Sequence, residues 1–186
     1  MSKERVPPGQ VVTAKFPVLT YGATPKFDSD TWAFQVLGVV EHDVTLNYDE
    51  LRALPKTDVT ADFHCVTQWS RLGNRWGGVA IKTIVDLAKP LPSATYVMAH
   101  CDGGYTTNLP IEILLDDDVL LAYEHDGADL QPEHGWPLRL IVPKRYAWKS
   151  AKWLRALEFM DSDRPGFWEM HGYHNDADPW SEERFS

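Results

Sequence analysis

Two features of the sequence have the residue types needed to hold a redox cofactor. Cys65 lies in the segment HCVTQWS, residues 64–70, directly after a run that is typical of a strand. A protein thiolate is a soft ligand suited to a polarizable metal. Farther along the chain, residues 139–155 carry six Arg and Lys side chains and no Asp or Glu, and such cations hold phosphate groups. We call residues 139–155 the basic segment, and with Cys65 it indicates a metal-bound thiolate with a distant anion clamp.

The basic segment stands out because the chain as a whole is acidic. There are 18 Lys and Arg residues against 27 Asp and Glu residues, and the net charge is -9. A run of charge is usually a solvated face. Here, however, the cations alternate with Tyr146, Trp148 and Trp153, and cations partly buried among aromatic rings need an anionic partner to offset their desolvation. The segment therefore favours an anion site, whereas the net charge argues against a nucleic-acid partner.

Short strands and helices must position these residues. Apolar alternation and buried-type apolar runs predict strands at 32–37, 59–63, 96–99, 119–123 and 137–143, while capping and proline signals predict helices at 48–53 and 81–88. Asn47 is the expected N-cap of the first helix. Strands outnumber helices and do not alternate with them regularly, which favours an α+β domain over a doubly wound parallel sheet.

The sequence predicts one domain preceded by an N-terminal arm. Residues 1–30 are rich in proline and show little periodicity, so we expect an extended N-terminal arm, followed by a single domain over 31–186. No apolar run has the length of a secretory signal or a membrane-spanning helix. The two cysteines, Cys65 and Cys101, are too few for a disulfide framework. These features predict a cytoplasmic protein.

Several common chemistries are not supported by the sequence. The Rossmann glycine pattern, the phosphate-binding P-loop and the hydrolase nucleophile elbow are absent. The pairs His64–Cys65 and His100–Cys101 raise the question of zinc. Adjacent residues on a strand point to opposite faces, and the C-x-x-C spacing of structural zinc sites is missing. Zinc is therefore disfavoured.

Five segments together carry a family resemblance. They are HCVTQWS at 64–70, DGGYTTNLP at 102–110, LLAYE at 120–124, HGWPLRLIVP at 134–143 and WKSAKW at 148–153. In this order they resemble the molybdopterin-binding domain of the sulfite oxidase family, over residues 30–175. The resemblance implies an α+β fold of mixed β-sheets and short helices. It also implies one pyranopterin dithiolene cofactor, molybdopterin, with molybdenum coordinated by Cys65 as a permanent ligand.

The resemblance also implies which residues hold this cofactor. The positions that match the family's cofactor contacts are His134, Arg139, Lys149, Ser150 and Lys152. An arginine offers a two-pronged fork to phosphate, lysines supply point charges and a serine supplies a hydroxyl donor. The residues alone leave an alternative for two of them: Arg139 could be a surface charge on a strand, and His134 a capping or core histidine.

Further residues are expected around the metal. Thr67, two residues after the ligand cysteine, and Cys101 are expected to line the pocket. Tyr173 follows Trp168 by five residues, as the active-site tyrosine does in sulfite oxidases, and is expected to contact substrate or metal oxo group. The alternative for Tyr173 is an aromatic tail packed on the core. Arg71 is a candidate for binding an anionic substrate, although the family's arginine lies one residue earlier.

These features together predict a molybdenum-dependent oxidoreductase. The expected reaction is two-electron oxygen-atom transfer on a small oxyanion, S-oxide or N-oxide. A separate electron-transfer protein is expected as partner, because the chain has no haem or iron–sulfur motif. Two alternatives remain open at this stage: a non-catalytic molybdopterin-binding carrier, and an acidic interaction module whose basic segment binds an acidic partner.

Overall fold

Two β-sheets form the framework of the protein, for which a computed structural model describes residues 5–186. The first four residues of the predicted arm lie outside the described residues. One sheet contains β1 (Val11–Val12), β4 (Lys56–His64), β5 (Trp69–Ala80), β8 (Leu120–His125), β9 (Ala128–Asp129) and β10 (Arg139–Ile141). The other contains β2 (Ala33–Gly38), β3 (Val44–Asn47), β6 (Tyr96–Cys101), β7 (Thr106–Pro110) and β11 (Leu154–Met160).

Strand β5 organises the first sheet. It pairs antiparallel with β4 along most of its length and with β8 near its end, while β1 pairs parallel to its beginning, with Val11 opposite Trp69. The second sheet runs in the order β3–β2–β11–β6–β7, in which the β2–β11 pair is parallel and the others are antiparallel. Both sheets are therefore mixed, as the sequence resemblance implied.

The helices are short. They are α1 (Tyr48–Ala53), α2 (Ile81–Ala88), α3 (Ile111–Leu114) and α4 (Phe167–Met170), with single 3₁₀ turns at 102–104, 132–134 and 147–149. The predicted cap of α1 is confirmed, since the Asn47 side chain accepts from the Glu50 amide at 2.9 Å and the Glu50 carboxylate accepts from the Asn47 amide at 2.8 Å. Mixed sheets with few short helices confirm the α+β class.

Most of the sequence-based elements are confirmed, with one error of length. The helices predicted at 48–53 and 81–88 are α1 and α2, and four predicted strands lie within β2, β4, β6 and β8 or overlap them. The strand predicted at 137–143 is wrong at both ends, because only Arg139–Ile141 pairs in the sheet. The bracketing prolines, Pro137 and Pro143, have no N–H to donate to a ladder.

The buried side chains form three clusters. The largest contains residues of both sheets, with Leu121 from the first and Phe34 and Leu157 from the second. A second packs Phe63 and Trp76 between strands of the first sheet. The third contains Tyr146, Trp148 and Ala177, against which Val66, Trp168 and Tyr173 pack. This third cluster joins the C-terminal tail to the loop that carries Cys65.

A close backbone approach fixes how β5 meets β8. A Cβ on Gly78 would lie 2.0 Å from the Leu121 carbonyl oxygen, well inside contact distance. The register of the two strands also shifts between Gly77 and Gly78. Only glycine fits at Gly78, so this residue sets the packing of the two central strands.

Candidate functional site

One cavity brings together most of the residues singled out by the sequence. It measures about 280 Å³, near the lower end of the range for small-molecule sites. Seven of the ten predicted site residues line it: Cys65, Thr67, His134, Arg139, Ser150, Lys152 and Tyr173. They come from the β4–β5 turn, the 132–134 turn, β10, the loop before β11 and the segment after α4. The side chains are thus distant in sequence and adjacent in space.

A tight turn between β4 and β5 holds Cys65. The Cys65 amide donates to the Trp69 carbonyl at 2.9 Å, and the Gln68 amide donates back to the Cys65 carbonyl at 3.1 Å. The Sγ atom lies 3.1 Å from the Thr67 hydroxyl oxygen. Burial raises the pKa of the Cys65 thiol, so a thiolate here requires a strong positive charge beside it. A soft metal cation supplies such a charge, and this donor therefore fits molybdenum.

Arg139 is a buried cation without a carboxylate partner among the described residues. It is 4% exposed, and its two terminal nitrogens donate to the carbonyls of His134 and Ser150, each at 2.7 Å. Its Nε is buried and has no partner within residues 5–186. Burial lowers the pKa of Arg139 to about 9. A buried charge of this kind is costly unless an anion offsets it, which fits the phosphate of a cofactor.

Aromatic rings surround the same guanidinium. Its central carbon lies 5.3 Å from the centroid of Phe63, 5.7 Å from Trp76 and 6.0 Å from Phe16. Phe16 in turn stacks on the His134 ring, with centroids 4.2 Å apart and an interplanar angle of 3°. Burial and the neighbouring Arg139 charge lower the pKa of His134. His134 is therefore a neutral, fixed imidazole at neutral pH.

Ser150 and Lys152 complete the cation-bearing wall. The Ser150 hydroxyl accepts from the Val142 amide at 2.9 Å, which ties the loop to the end of β10. The Lys152 ammonium donates to three oxygen atoms, belonging to Leu19, Thr20 and Glu133. Burial, followed by the charge of Arg139, lowers the pKa of Lys152 to about 8.

Tyr173 lines the cavity and also packs on its surroundings. Its ring meets Trp148 edge-on at 5.0 Å and lies 4.9 Å from Trp168, and its amide donates to the Trp168 carbonyl at 3.0 Å. The packed aromatic tail is confirmed, whereas contact of Tyr173 with substrate or a metal oxo group stays a prediction. The tail is packed, and its packing directs Tyr173 at the cavity.

Three predicted site residues lie outside the cavity. Arg71, on β5, forms an ion pair with Asp126 at 2.5 Å. Cys101, at the end of β6, is buried, and burial raises the pKa of its thiol. Lys149 is fully buried and lies 2.6 Å from a Glu169 carboxylate oxygen. Arg71 and Lys149 are paired with carboxylates and Cys101 is packed in the core, so none of the three lines this cavity.

Other lining residues had no sequence signal. The arm contributes Phe16, Pro17, Leu19, Thr20 and Tyr21, and the body adds Tyr105, Trp148 and Trp168. The arm reaches the cavity because β1 pairs with β5, a contact between segments far apart in the chain. Tyr105, within DGGYTTNLP, and Trp148, within WKSAKW, lie in segments that carry the family resemblance, although neither had been singled out as a site residue.

Comparison with known proteins agrees with this arrangement. The family model described as "Oxidoreductase molybdopterin binding domain" matches residues 21–168. The "Uncharacterized oxidoreductase YuiH" of Bacillus subtilis is 48% identical over 183 residues, which cover 98% of this chain and 92% of that protein. The "Putative protein-methionine-sulfoxide reductase subunit YedZ1" of Azospira oryzae is 30% identical, over 90% of this chain and 64% of that protein.

A solved structure supports the fold. The sulfane dehydrogenase SoxCD from Paracoccus pantotrophus superposes with a TM-score of 0.68 and 23% identity, over 75% of this chain and 40% of that chain. This likeness concerns the fold alone. Across residues 5–186, no helix has both the length and the apolar character needed to cross a bilayer.

Proposed function

Because the chain belongs to the oxidoreductase molybdopterin binding domain family, we propose that it is a molybdenum-dependent enzyme that transfers an oxygen atom to or from a small neutral S-oxide or N-oxide. Family membership confirms the resemblance found in the sequence and the molybdopterin cofactor with molybdenum that it implied. The observation that carries the proposal is the buried Arg139 guanidinium, whose Nε has no partner among residues 5–186, in one cavity with Cys65.

The residues present fit this cofactor. Arg139 would hold the phosphate, with His134 beside it as a neutral, fixed ring. Cys65 would ligate the metal, and Thr67 would steady its sulfur through the 3.1 Å contact. When bound, the cofactor supplies a metal centre that changes oxidation state by two electrons. The protein's own contribution is to position ligands and exclude water.

The wall around Cys65 favours a neutral substrate. Val66, Trp168 and Tyr173 pack together beside the Cys65 turn and present apolar and aromatic surface. Among the lining residues, the Lys and Arg side chains are Arg139 and Lys152, and Lys152 already donates to three protein oxygens. With Arg139 holding the cofactor phosphate, an anionic substrate would therefore find no unused N–H donor on these two cations, whereas a neutral oxide needs only a hydrogen bond, which the Tyr173 phenol can donate.

Arg184 does not change this conclusion. Its charge acts on Cys65, and one terminal nitrogen donates to the Val66 carbonyl at 2.9 Å. The guanidinium pairs with Glu182 at 3.7 Å and does not line the cavity. Its charge is thus largely compensated outside the proposed substrate pocket.

An electron donor or acceptor has to act with this domain. Oxygen-atom transfer moves two electrons, and the sequence has no haem or iron–sulfur motif to store them. A separate electron-transfer protein therefore belongs to the proposal. The predicted cytoplasmic location stays a prediction. A non-catalytic carrier would bind the same cofactor but would show no turnover with any oxide.

Two buried cysteines allow a matched test of the cofactor site. Cys65 and Cys101 are both buried, yet only Cys65 lines the cavity. In protein purified from a host that makes molybdenum cofactor, we expect near-stoichiometric molybdenum and pterin in the wild type and in Cys101→Ser, and loss of molybdenum in Cys65→Ser. Metal is measured by inductively coupled plasma mass spectrometry, and pterin by fluorescence after oxidation. Equal molybdenum in all three proteins, or no pterin in the folded wild type, would contradict the proposal.

The substrate class is tested on the same loaded protein. With a reduced dye as electron donor, we expect turnover with methionine sulfoxide or an amine N-oxide and little with nitrate. With an electron acceptor, we expect little oxidation of sulfite. A preference for either anion would show that the neutral-substrate assignment is wrong while leaving the cofactor site intact.

A further inference from the structure

Part of the N-terminal arm lies across the cavity. The Val11 amide donates to the Gln68 carbonyl and the Thr13 amide to the Ser70 carbonyl, each at 2.9 Å, which fixes the start of the arm beside the Cys65 turn. Residues 16–21, which we call the strap, then leave the sheet and supply five of the residues that line the cavity. The strap therefore forms one of the cavity walls.

Packing holds the strap at two points. Phe16 stacks on His134 and lies edge-on to Phe63 at 5.5 Å. At the other end, Tyr21 packs on Phe167, with ring centroids 4.3 Å apart. Between these rings, Val18 and Leu19 are about half exposed, at 48% and 51%. The middle of the strap thus has little apolar burial to fix it.

A single cation ties down this middle portion. Lys152 Nζ lies 2.9 Å from the Leu19 carbonyl oxygen, 2.5 Å from the Thr20 hydroxyl oxygen and 2.8 Å from the Glu133 carbonyl oxygen. An ammonium group has three N–H donors, so all three are used within the protein. Among the described residues, no other hydrogen bond reaches residues 16–21.

The neighbouring cation is arranged differently. Arg139 donates to two carbonyl groups that both lie outside the strap, and its buried Nε has no partner in the part of the chain that the structure describes. A donor without a partner is available to an anion, whereas three satisfied donors are not. The two cations on this wall therefore differ: Lys152 uses all its N–H donors within the protein, whereas Arg139 does not.

We propose that Lys152 is a positioning residue that anchors the strap over the cavity, while Arg139 is the cation that binds the cofactor phosphate. This inference rests on the proposed function for the identity of the ligand, and it differs from the expectation that Lys152 contacts the cofactor directly. Anchored in this way, the strap closes one wall and slows the release of bound molybdopterin.

Proteolysis of cofactor-free protein tests the anchor without reference to activity. Leu19 and Tyr21 are chymotrypsin sites within the strap, whereas the Phe16–Pro17 bond resists this protease because proline follows the aromatic residue. In protein from a host that cannot make molybdenum cofactor, Lys152→Met should raise the rate of cleavage at these sites about ten-fold, since charge-assisted hydrogen bonds are lost. Mass spectrometry of the products separates cleavage in the strap from cleavage of the unfolded chain.

Two further variants make this comparison specific. Lys144→Met removes a cation of the same basic segment whose partner is Asp116, at 3.0 Å, and should leave strap cleavage unchanged. Thr20→Val removes one acceptor of Lys152 and keeps the ammonium, so it should raise cleavage by a smaller factor. Unchanged cleavage in both Lys152→Met and Thr20→Val would overturn the proposal.

Release of the cofactor gives a second readout. In protein loaded with molybdopterin, Thr20→Val should release pterin faster than the wild type under dilution, because the strap opens more often. Direct phosphate binding by Lys152 predicts no change in Thr20→Val, since the lysine is intact. That result would overturn the strap's role in retention. Absence of pterin from the wild type would instead refute the proposed function, and the proteolysis result would still decide whether Lys152 anchors the strap.

Discussion

Replacing Lys149 with methionine should destabilise the protein strongly, whether or not cofactor is bound. Lys149 Nζ lies 2.6 Å from Glu169 Oε1 and 2.7 Å from the Asn108 carbonyl oxygen, and the Lys149 and Glu169 side chains are 0% and 2% exposed. Without the lysine, the donors to Glu169 among the described residues are the Thr107 hydroxyl and the Trp148 indole N–H, each at 2.9 Å. Its Oε2 is buried and has no hydrogen-bond partner in the described chain even in the wild type.

The expected loss follows from leaving one charge buried alone. Removing one member of a buried ion pair costs about 3–5 kcal/mol. Glu169→Gln in the same background removes the stranded charge but keeps an amide oxygen that can accept from Thr107 and Trp148. The double variant Lys149→Met/Glu169→Gln should therefore be less destabilised than the sum of the single variants, with a coupling free energy of about 2 kcal/mol.

Urea unfolding at pH 7 measures these differences. Tryptophan fluorescence of cofactor-free protein gives the midpoint and the slope for the wild type, both single variants and the double variant, and equal slopes allow the midpoints to be compared. Lys89→Met is the control, because Lys89 is exposed and lies 3.9 Å from Glu41. An exposed pair of this kind contributes about 0–1 kcal/mol.

Two results would refute the reasoning. One is a loss below about 1 kcal/mol for Lys149→Met, which would place it with exposed pairs. The other is strict additivity in the double variant. The expectation from sequence, that Lys149 contacts the cofactor directly, instead predicts loss of pterin with little change in the unfolding free energy of cofactor-free protein.

Two further predictions concern pH and backbone packing. Burial and the charges of Arg71 and Arg139 lower the pKa of His125 to about 4, although the Asp126 carboxylate acts to raise it. Between pH 4 and 6.5 the folded state therefore binds fewer protons than the unfolded state. The unfolding free energy should fall by about 1 kcal/mol as pH drops through this window. His125→Gln should reduce this pH dependence, measured as urea midpoints at several pH values. The same pH dependence in the variant and the wild type would show that His125 is not its cause. Gly78→Ala should cost about 3 kcal/mol or more, because its Cβ would lie 2.0 Å from a carbonyl oxygen. Gly73→Ala, at a positive φ of 66° with open space around it, should cost about 1 kcal/mol; the reverse order in thermal unfolding would show that close approach does not decide the cost.

Local patterns predicted the elements that have a local cause. The Asn47 cap and the alternation of Phe34 and Val36 are each encoded within a few residues, and both appear in the structure. Strand β5 was missed because its sequence, WSRLGNRWGGVA, mixes charges and glycines without alternation. Its extended shape comes from partners on both edges, β4 on one side and β1 with β8 on the other. Tertiary pairing, and not propensity, decides such a strand.

The same distinction applies to the candidate site. Cys65 and Arg139 could be predicted, because the segments that carry them have the residue types that the chemistry needs. The strap could not be predicted, since its contact with Lys152 joins positions separated by more than a hundred residues. Charge spacing also could not separate Lys149 from Lys152. The 3₁₀ turn at 147–149 directs the first toward Asn108, away from the cavity that the second lines.

The partners of these three cations determine the charge that the cavity presents. Glu169 cancels the charge of Lys149, whereas Lys152 and Arg139 donate to oxygen atoms that carry no net charge. Neutral acceptors satisfy N–H groups without neutralising the cation, so both positive charges remain at the cavity wall. The residues that line the cavity include no Asp or Glu, although the chain carries a net charge of -9. A protein that is acidic overall thus presents a positive interior to an anionic cofactor, and the neutral substrate that we propose would meet the aromatic wall beside Cys65.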